Sequence, residues 1–342
     1  GDAMTALQIT WFLLIGVLLI GYAILDGFDL GVGFWHLFAR GDKERRIVLN
    51  SVAPVWDGNE VWLLTGGGAI FAAFPPVYAS VFSGFYLALM LLLLVLILRA
   101  VSFEFRSKIA DPVWRSIWDR VFSLASIVAA LLLGVALGNI LRGVPLDEQG
   151  NYAGTFMELL NPYALLVGLT AVAMVATQGA FYLILKTEGE LAERAHRWAT
   201  WGVAAYLTLA SLVTVMTFAH HSRLTGNFLG MPLLFVFPIL GLGAIVALIL
   251  MPRKKQPGVA FIISSLSIVG LMATVGASIY PNMVYSLGQP ARSLTIFNSS
   301  SSQNTLTVML ILALIGMPIV IGYTIFIYRV VRGKVVIDEG SY

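Results

Sequence analysis

Apolar residues in this chain come in long blocks, not in the alternation of a half-buried strand or the one-sided stripe of a soluble helix. Closing each block at charges, proline pairs or polar clusters leaves nine runs, at about 7–36, 52–74, 77–98, 120–141, 162–185, 199–219, 231–251, 258–280 and 305–328. A helix needs roughly 20 apolar residues to cross a hydrocarbon core about 30 Å thick. The pattern therefore predicts an all-α polytopic membrane protein with nine transmembrane helices. The first run exceeds a single span, and Gly27, Gly31 and Gly33 mark where it can bend. No basic segment and no small-residue cleavage site accompany it, so it is expected to be retained. The third run, LALMLLLLVLIL, is aliphatic on every side and is expected to face lipid.

The polar segments between the runs set the orientation. One set of loops holds 18 of the 21 Lys and Arg residues: those between 40 and 46, 99 and 120, 186 and 197, 253 and 255, and 329 and 334. The other set holds only Arg142, Arg223 and Arg292. Basic loops stay on the cytoplasmic side, which puts the N-terminus outside and the C-terminus in the cytoplasm. The loop from Ala100 to Asp119 mixes both signs and predicts an ion-paired structure. A faint echo relates Asp26-Gly-Phe…Glu44-Arg-Arg to Gln178-Gly-Ala-Phe-Tyr…Glu193-Arg-Ala. It suggests two four-helix units, 1–141 and 162–280, and one extra helix, 305–328, in a single membrane domain.

Charges inside the runs carry the candidate chemistry. Asp57 and Glu60 lie in an apolar stretch where an ionisable group costs roughly 2.5–3.5 kcal/mol on insertion scales. Three residues apart on a helix, they share a side with Trp56 and Asn59 close by. Asp26 and Asp29 stand at a matching depth in the first run: at 1.5 Å per helical residue Asp29 is about 16 Å from Arg40 and Asp57 about 16 Å from Arg46. The four acids are expected to meet at one interface between the cytoplasmic face and the midplane, where carboxyls in series can take up and release protons. The structural alternative is that they pair with Arg99 and lock the bundle. Gly66, Gly67 and Gly68 lack the lysine of a phosphate loop and are read as a face for close helix packing.

With 58% hydrophobic and 11% charged residues, no soluble-domain reading survives, and the net charge of +3 reflects topology and not nucleic-acid binding. The absence of cysteine excludes disulfides, thiolate metal sites and thiol catalysis. His36 and His196 fall near the basic ends and His220 and His221 at the outer edge, all read as interfacial. A facing pair for a haem at the midplane is missing. The outer segments 142–161 and 281–304, the latter with a serine run at 299–302, hold no hydrolytic constellation.

Asp26-Gly-Phe-Asp-Leu-Gly-Val-Gly, Glu44-Arg-Arg, Asn50-Ser-Val-Ala-Pro-Val-Trp-Asp-Gly-Asn, Phe71-Ala-Ala-Phe-Pro, Ser83-Gly-Phe-Tyr and Phe105-Arg-Ser-Lys together resemble subunit II of the cytochrome bd-type quinol oxidases. The likeness continues through Leu160-Asn-Pro-Tyr, Thr177-Gln-Gly-Ala, Phe261-Ile-Ile-Ser-Ser-Leu and Ser302-Gln-Asn-Thr-Leu. It implies a nine-helix fold and membership of a bacterial cytoplasmic-membrane complex that oxidises quinol and reduces dioxygen to water. It also implies that two b-type haems and one d-type haem sit in an obligate subunit I, with none in this chain, and it admits a single-span small subunit. By the same resemblance, Asp57 belongs to a cytoplasmic proton route, while Asp29, Arg99 and Asp119 match charged positions used for assembly or haem integrity. The chain departs from the family at Glu60, where an amide is usual, and in the short outer loop 219–230. A proton-coupled secondary transporter and a quinone-binding anchor of an oxidoreductase are the alternatives from other classes.

Overall fold

The structure is a computed structural model that describes residues 1–251 and 253–342. Its first six helices are α1 (Asp2–His36), α2 (Gly41–Val52), α3 (Trp56–Ala73), α4 (Pro75–Gly84), α5 (Tyr86–Phe105) and α6 (Pro112–Arg142). After a one-turn α7 (Phe156–Leu159) come α8 (Pro162–Lys186), α9 (Gly189–His220), a short α10 (Gly226–Gly230), α11 (Val236–Leu250), α12 (Pro257–Ile279) and α13 (Gln303–Val330). Among the described residues eight helices are long and apolar enough to cross a membrane: α1, α5, α6, α8, α9, α11, α12 and α13. The nine spans expected from the sequence are thus eight by this measure, because α3 carries Asp57, Asn59, Glu60 and four glycines among its 18 residues.

Local chemistry explains where the helices depart from the apolar runs. The run at 52–74 opens late, since Pro54 has no N–H to donate and disfavours a helix before it; α2 stops at Val52 and α3 starts at Trp56. The run at 77–98 is broken at Phe85, where Gly84 lies against the Tyr152 ring. At the basic end the helices extend beyond the apolar runs. Asp111 caps α6 by accepting the Val113 N–H at 3.0 Å. In the same way Asn161 caps α8 from the Ala164 N–H at 2.9 Å.

α1 is the central element, packing on α3, α6, α8 and α12. α8 also packs on α6, α9 and α12, α11 lies on α9 and α12, and α5 lies on α6. α13 touches α1 and α3 and leaves Leu312, Ile315 and Ile319 exposed. One part of the core, near the basic end, is aromatic, with Trp35 stacked on Trp198 at 5.2 Å and Phe28 on Tyr182 at 4.0 Å. A second, around Trp11, Phe74, Phe85 and Leu306, closes the other end. There a small antiparallel pair, β1 (Asn282–Val284) and β2 (Leu294–Thr295), holds Asn282 opposite Thr295 and Val284 opposite Leu294. The serine run is structural. Ser300 Oγ accepts from Gln8 Nε2 at 2.8 Å, the Ser301 N–H donates to Ala73 O at 2.8 Å, and Ser302 caps α13.

α1 and α8 approach each other closely at paired glycines. A Cβ on Gly31 would run into the Val175 carbonyl and Gly179 Cα, and one on Gly179 into the Gly31 backbone. Backbone cannot yield as a side chain can. Gly31→Ala is therefore expected to cost at least the ~1–3 kcal/mol of ordinary overpacking. Gly16→Ala, where nothing lies within 4 Å, should be neutral. Thermal unfolding of the two variants in one detergent compares them, and equal midpoints would contradict the crossing described.

Candidate functional site

Asp26 and Asp29, one helical turn apart on α1, are fully buried. Arg99 of α5, equally buried, brings Nη2 to 3.3 Å from Asp26 Oδ1. Asn59 of α3 donates from Nδ2 to Asp29 Oδ2 at 2.8 Å and accepts at Oδ1 from the Tyr328 hydroxyl of α13 at 2.7 Å. Four helices are thereby tied by five polar side chains. Trp56 stacks flat on Phe103 at 5.0 Å, and the Arg99 guanidinium carbon stands 6.0 Å from the Trp56 ring centre. Glu60 is half-buried within electrostatic reach of Arg99 and Asp26. One guanidinium thus faces three carboxyls. Asp26 Oδ2, Asp29 Oδ1, Arg99 Nε and Nη1 and the Tyr22 hydroxyl are buried with no protein partner among the described residues.

The four acids do not form one buried interface as expected. Asp57, in the first turn of α3, is exposed. It begins a line of exposed positions, Asp57, Val61, Leu64, Gly68 and Phe71, whose 4-3-4-3 spacing is that of a helix seam. Within the glycine run, a Cβ added at Gly66 would stand 3.1 Å from Leu19 Cδ2 of α1, whereas one at Gly67 or Gly68 would meet nothing within 4 Å.

A second polar network lies toward the basic end. His36 is not an interfacial residue: it is buried, with Nε2 2.6 Å from Asp119 Oδ1 and its ring edge-on to Phe122. Asp119 Oδ1 also takes Arg106 Nε at 2.5 Å, and Arg106 Nη2 reaches Asp42 Oδ1 at 2.8 Å. Arg115 Nη1 completes Asp42 at 3.1 Å, so the mixed-charge loop is ion-paired as its sequence predicts. Glu44 pairs with Arg194, which joins the two segments that echo one another in sequence. Asn50 and Arg46 bind the Tyr342 carbonyl, each at 2.9 Å, and the Tyr342 hydroxyl donates to Glu104 at 2.6 Å. Nothing in the sequence signalled these tail contacts or Tyr328, because uncharged partners far apart in the chain leave no pattern. Of the histidines, His36 is engaged by Asp119, and His221, which follows α9, lies at the far end against Tyr163.

A family profile described as cytochrome bd terminal oxidase subunit II matches residues 7–331. The chain belongs to that family. It is 42% identical to the cytochrome bd-I ubiquinol oxidase subunit 2 of Escherichia coli K12, over 97% of this chain and 96% of the relative. It is 37% identical to the cytochrome bd ubiquinol oxidase subunit 2 of Bacillus subtilis 168, over 97% and 98%. The fold is similar to a chain in the structure of the bd oxidase from Geobacillus thermodenitrificans, with a TM-score of 0.77 at 17% identity, covering 95% of this chain and 98% of that one. Subunit II in this instance therefore buries two ionic networks, one around Arg99 and one around Asp119.

The Asp119 network yields a graded expectation. Asp119→Asn strands Arg106, 1% exposed, and His36 without their carboxylate, and removing one partner of a buried pair costs about 3–5 kcal/mol. Asp42, with a side chain 48% exposed, is worth about 1 kcal/mol or less to the same network. Burial pushes the Asp42 carboxyl up, but the hydrogen bonds and charges of Arg106 and Arg115 outweigh it and hold the group below its ordinary range. A depressed carboxyl stabilises above its unfolded pKa, about 3.9, and the gain is lost as pH falls through the lower folded value. The small difference in melting temperature between wild type and Asp42→Asn should accordingly persist at neutral pH and close in acid. A large Asp42→Asn effect beside a mild Asp119→Asn one would reverse the ranking.

Proposed function

We propose that, in the quinol:dioxygen oxidoreductase to which its family belongs, this chain holds no haem and supplies two things. One is a proton-uptake route from the cytoplasm; the other is a docking face for the haem-bearing subunit I, where two b-type haems and one d-type haem would reside. The observation that carries the reading is the exposed Asp57 at the end of the α3 seam, backed by Glu60 and the buried Asp26–Arg99–Asp29 set.

On this reading α3 is the ninth span, covered by its partner subunit and not by lipid, which its composition tolerates. The basic ends face the cytoplasm of a bacterial cell and the N-terminus lies outside, as the 18 of 21 basic residues on one side favour. α1, α3, α5 and α6 make one four-helix unit, α8, α9, α11 and α12 a second, and α13 is the extra helix, the two units packing extensively on each other where α1 and α6 meet α8. A single-span small subunit is accommodated on the exposed apolar helices.

Water in hydrocarbon must be held by polar groups. Asp57 takes a proton at a carboxylate oxygen from cytoplasmic water, and Glu60, a turn deeper, extends the route. Asp26, Asp29 and Arg99 keep this side of α3 charged and hydrated through the buried polar atoms that lack protein partners. Trp56 and Asn59 hold the start of α3 in register with α5 and α1. Quinol, named for the relatives as ubiquinol, is the reductant.

The apolar cleft of about 520 Å3 between α6, α8, α9, α11 and α12 favours a further role compatible with the first. Lined by residues such as Val167, Val213 and Leu271, with Tyr163 and Thr217 as polar edge, it suits the tail of a quinone or lipid. Val213→Trp, which fills it, should remove any quinone that co-purifies.

Two variants test the main reading. Asp57→Asn keeps shape and hydrogen bonding but cannot titrate. It is expected to lower oxygen consumption per haem by about 10²-fold, the lower end of what a positioned proton-transfer group contributes. Turnover equal to wild type across neutral pH would remove Asp57 from the route. Gly68→Leu adds a side chain where this chain leaves space. The subunit should still fold and insert while recovery of subunit I with it falls, and undiminished co-purification would place the docking face elsewhere.

A further inference from the structure

At the basic end, the start of α9 and the turn between α11 and α12 enclose a cleft of about 570 Å3 lined by Glu193, His196, Arg197, Arg253, Lys254 and Lys255 among others. Four basic side chains meet one carboxylate there. Glu193 is already taken, with Oε2 3.2 Å from Lys254 Nζ. Among the described residues Arg197, Arg253 and Lys255 have no carboxylate within ion-pair distance.

Arg253 is the distinctive member. Its Nη2 donates to Thr200 Oγ1 at 2.7 Å, and its guanidinium carbon stands 5.9 Å from the Phe181 ring centre. Its Nη1 is buried without a protein partner. Burial pulls the Arg253 pKa below its ordinary value, and no carboxylate offsets that cost. Basic loops are required on this face for topology. Topology alone does not require one guanidinium anchored by Thr200, half-buried in a cleft, with a donor left over. A bound anion supplies what is missing, and a planar guanidinium beside mobile lysines suits a phosphate.

We infer that this cleft is a phosphate-binding site, with Arg253 as the fixed donor and Arg197, Lys254 and Lys255 closing on the remaining oxygens. Met251, which follows the last turn of α11, lines the cleft as well and sets it at the level of lipid headgroups. An anionic phospholipid of the cytoplasmic leaflet and a soluble phosphate present the same oxygens, and the lipid source rests on the orientation proposed above.

The test uses the intact purified oxidase. Arg197→Gln/Arg253→Gln is compared with Arg329→Gln/Arg332→Gln, which removes the same charge from exposed positions on the same face. Quinol oxidase turnover should be unchanged in both. After delipidation, phosphatidylglycerol and phosphatidylcholine are offered in equal amounts and retained lipid is counted by native mass spectrometry; inorganic phosphate is titrated separately by calorimetry. Preferential retention of phosphatidylglycerol, weakened about tenfold in the cleft variant and not in the control, supports the site with a lipid headgroup as ligand. A phosphate binding heat lost only in the cleft variant supports the site with a soluble ligand. Binding of neither probe, or equal binding by the two variants, overturns the inference, and neither outcome bears on the Asp57 route.

Discussion

Arg99 is fully buried in the middle of a helix-rich interior, and a guanidinium in such a place is tolerated only when its charge is met. Asp26 meets it directly. The charge balance does not stop there, because Asp29 lies one turn further along the same helix and needs a donor of its own. Asn59 is that donor, which sets the depth of α3 against α1. The amide oxygen left over takes the Tyr328 hydroxyl, which sets α13 against α3. The positions of α1, α3, α5 and α13 thus follow from one unavoidable cost. Apolar packing between these helices could slide by a turn with little penalty, since lipid is as apolar as the helix surfaces. The hydrogen bonds could not.

Nearer the basic end α2 does comparable work in a wetter setting. Its first residues each bind a different element: Asp42 holds Arg106 and Arg115, Glu44 holds Arg194, and Arg46 holds the tail at Tyr342. Exposed pairs of this sort contribute little singly, but Asp42 leads through Arg106 to Asp119, and these two are nearly inaccessible. The gradient of burial from Asp42 to Asp119 to Asp26 runs from the aqueous end into the helices. Packing by aromatic stacks, Trp35 on Trp198 and Trp56 on Phe103, fills the space around these polar groups.

Much of this was legible in the sequence, for physical reasons that can be named. The all-helical type follows from the thickness of a bilayer, and the neighbourhood of Asp26 and Asp29 to the start of α3 follows from counting residues inward from the basic loops; the number of spans does not, since α3 lacks the apolar length and composition of the other eight. The mixed charges between Ala100 and Asp119 announced their pairing. The exposed place of Asp57 was not legible, because a three-residue separation leaves about 60° between two side chains on a helix of 3.6 residues per turn. That angle separates an outward carboxyl from a half-buried one. The ends of α2 and α3 depend on Pro54, and the break at Phe85 depends on Tyr152 arriving from a distant loop. His36 read as a lone interfacial residue, since its partner Asp119 is 83 positions away.

The same 60° bears on what the carboxyls in the interior of this subunit can do. Were Asp57 buried with Asp26 and Asp29, it would add a fourth acid to a set already served by one guanidinium, and a partner helix on α3 could not reach it. Were Glu60 as exposed as Asp57, no polar group would connect the seam to the buried set. The observed arrangement has one acid on the seam, one at its margin and two inside with Arg99. Under the proposed proton route, a proton held at Asp57 stands at the exposed side of α3, with the buried set behind it. The open space at Gly68 on the same line, and at Gly67 beside it, lets a neighbouring backbone come close. Close approach matters because a proton moves between groups only over hydrogen-bond distances, so a route that crosses between subunits needs small residues beside its acids.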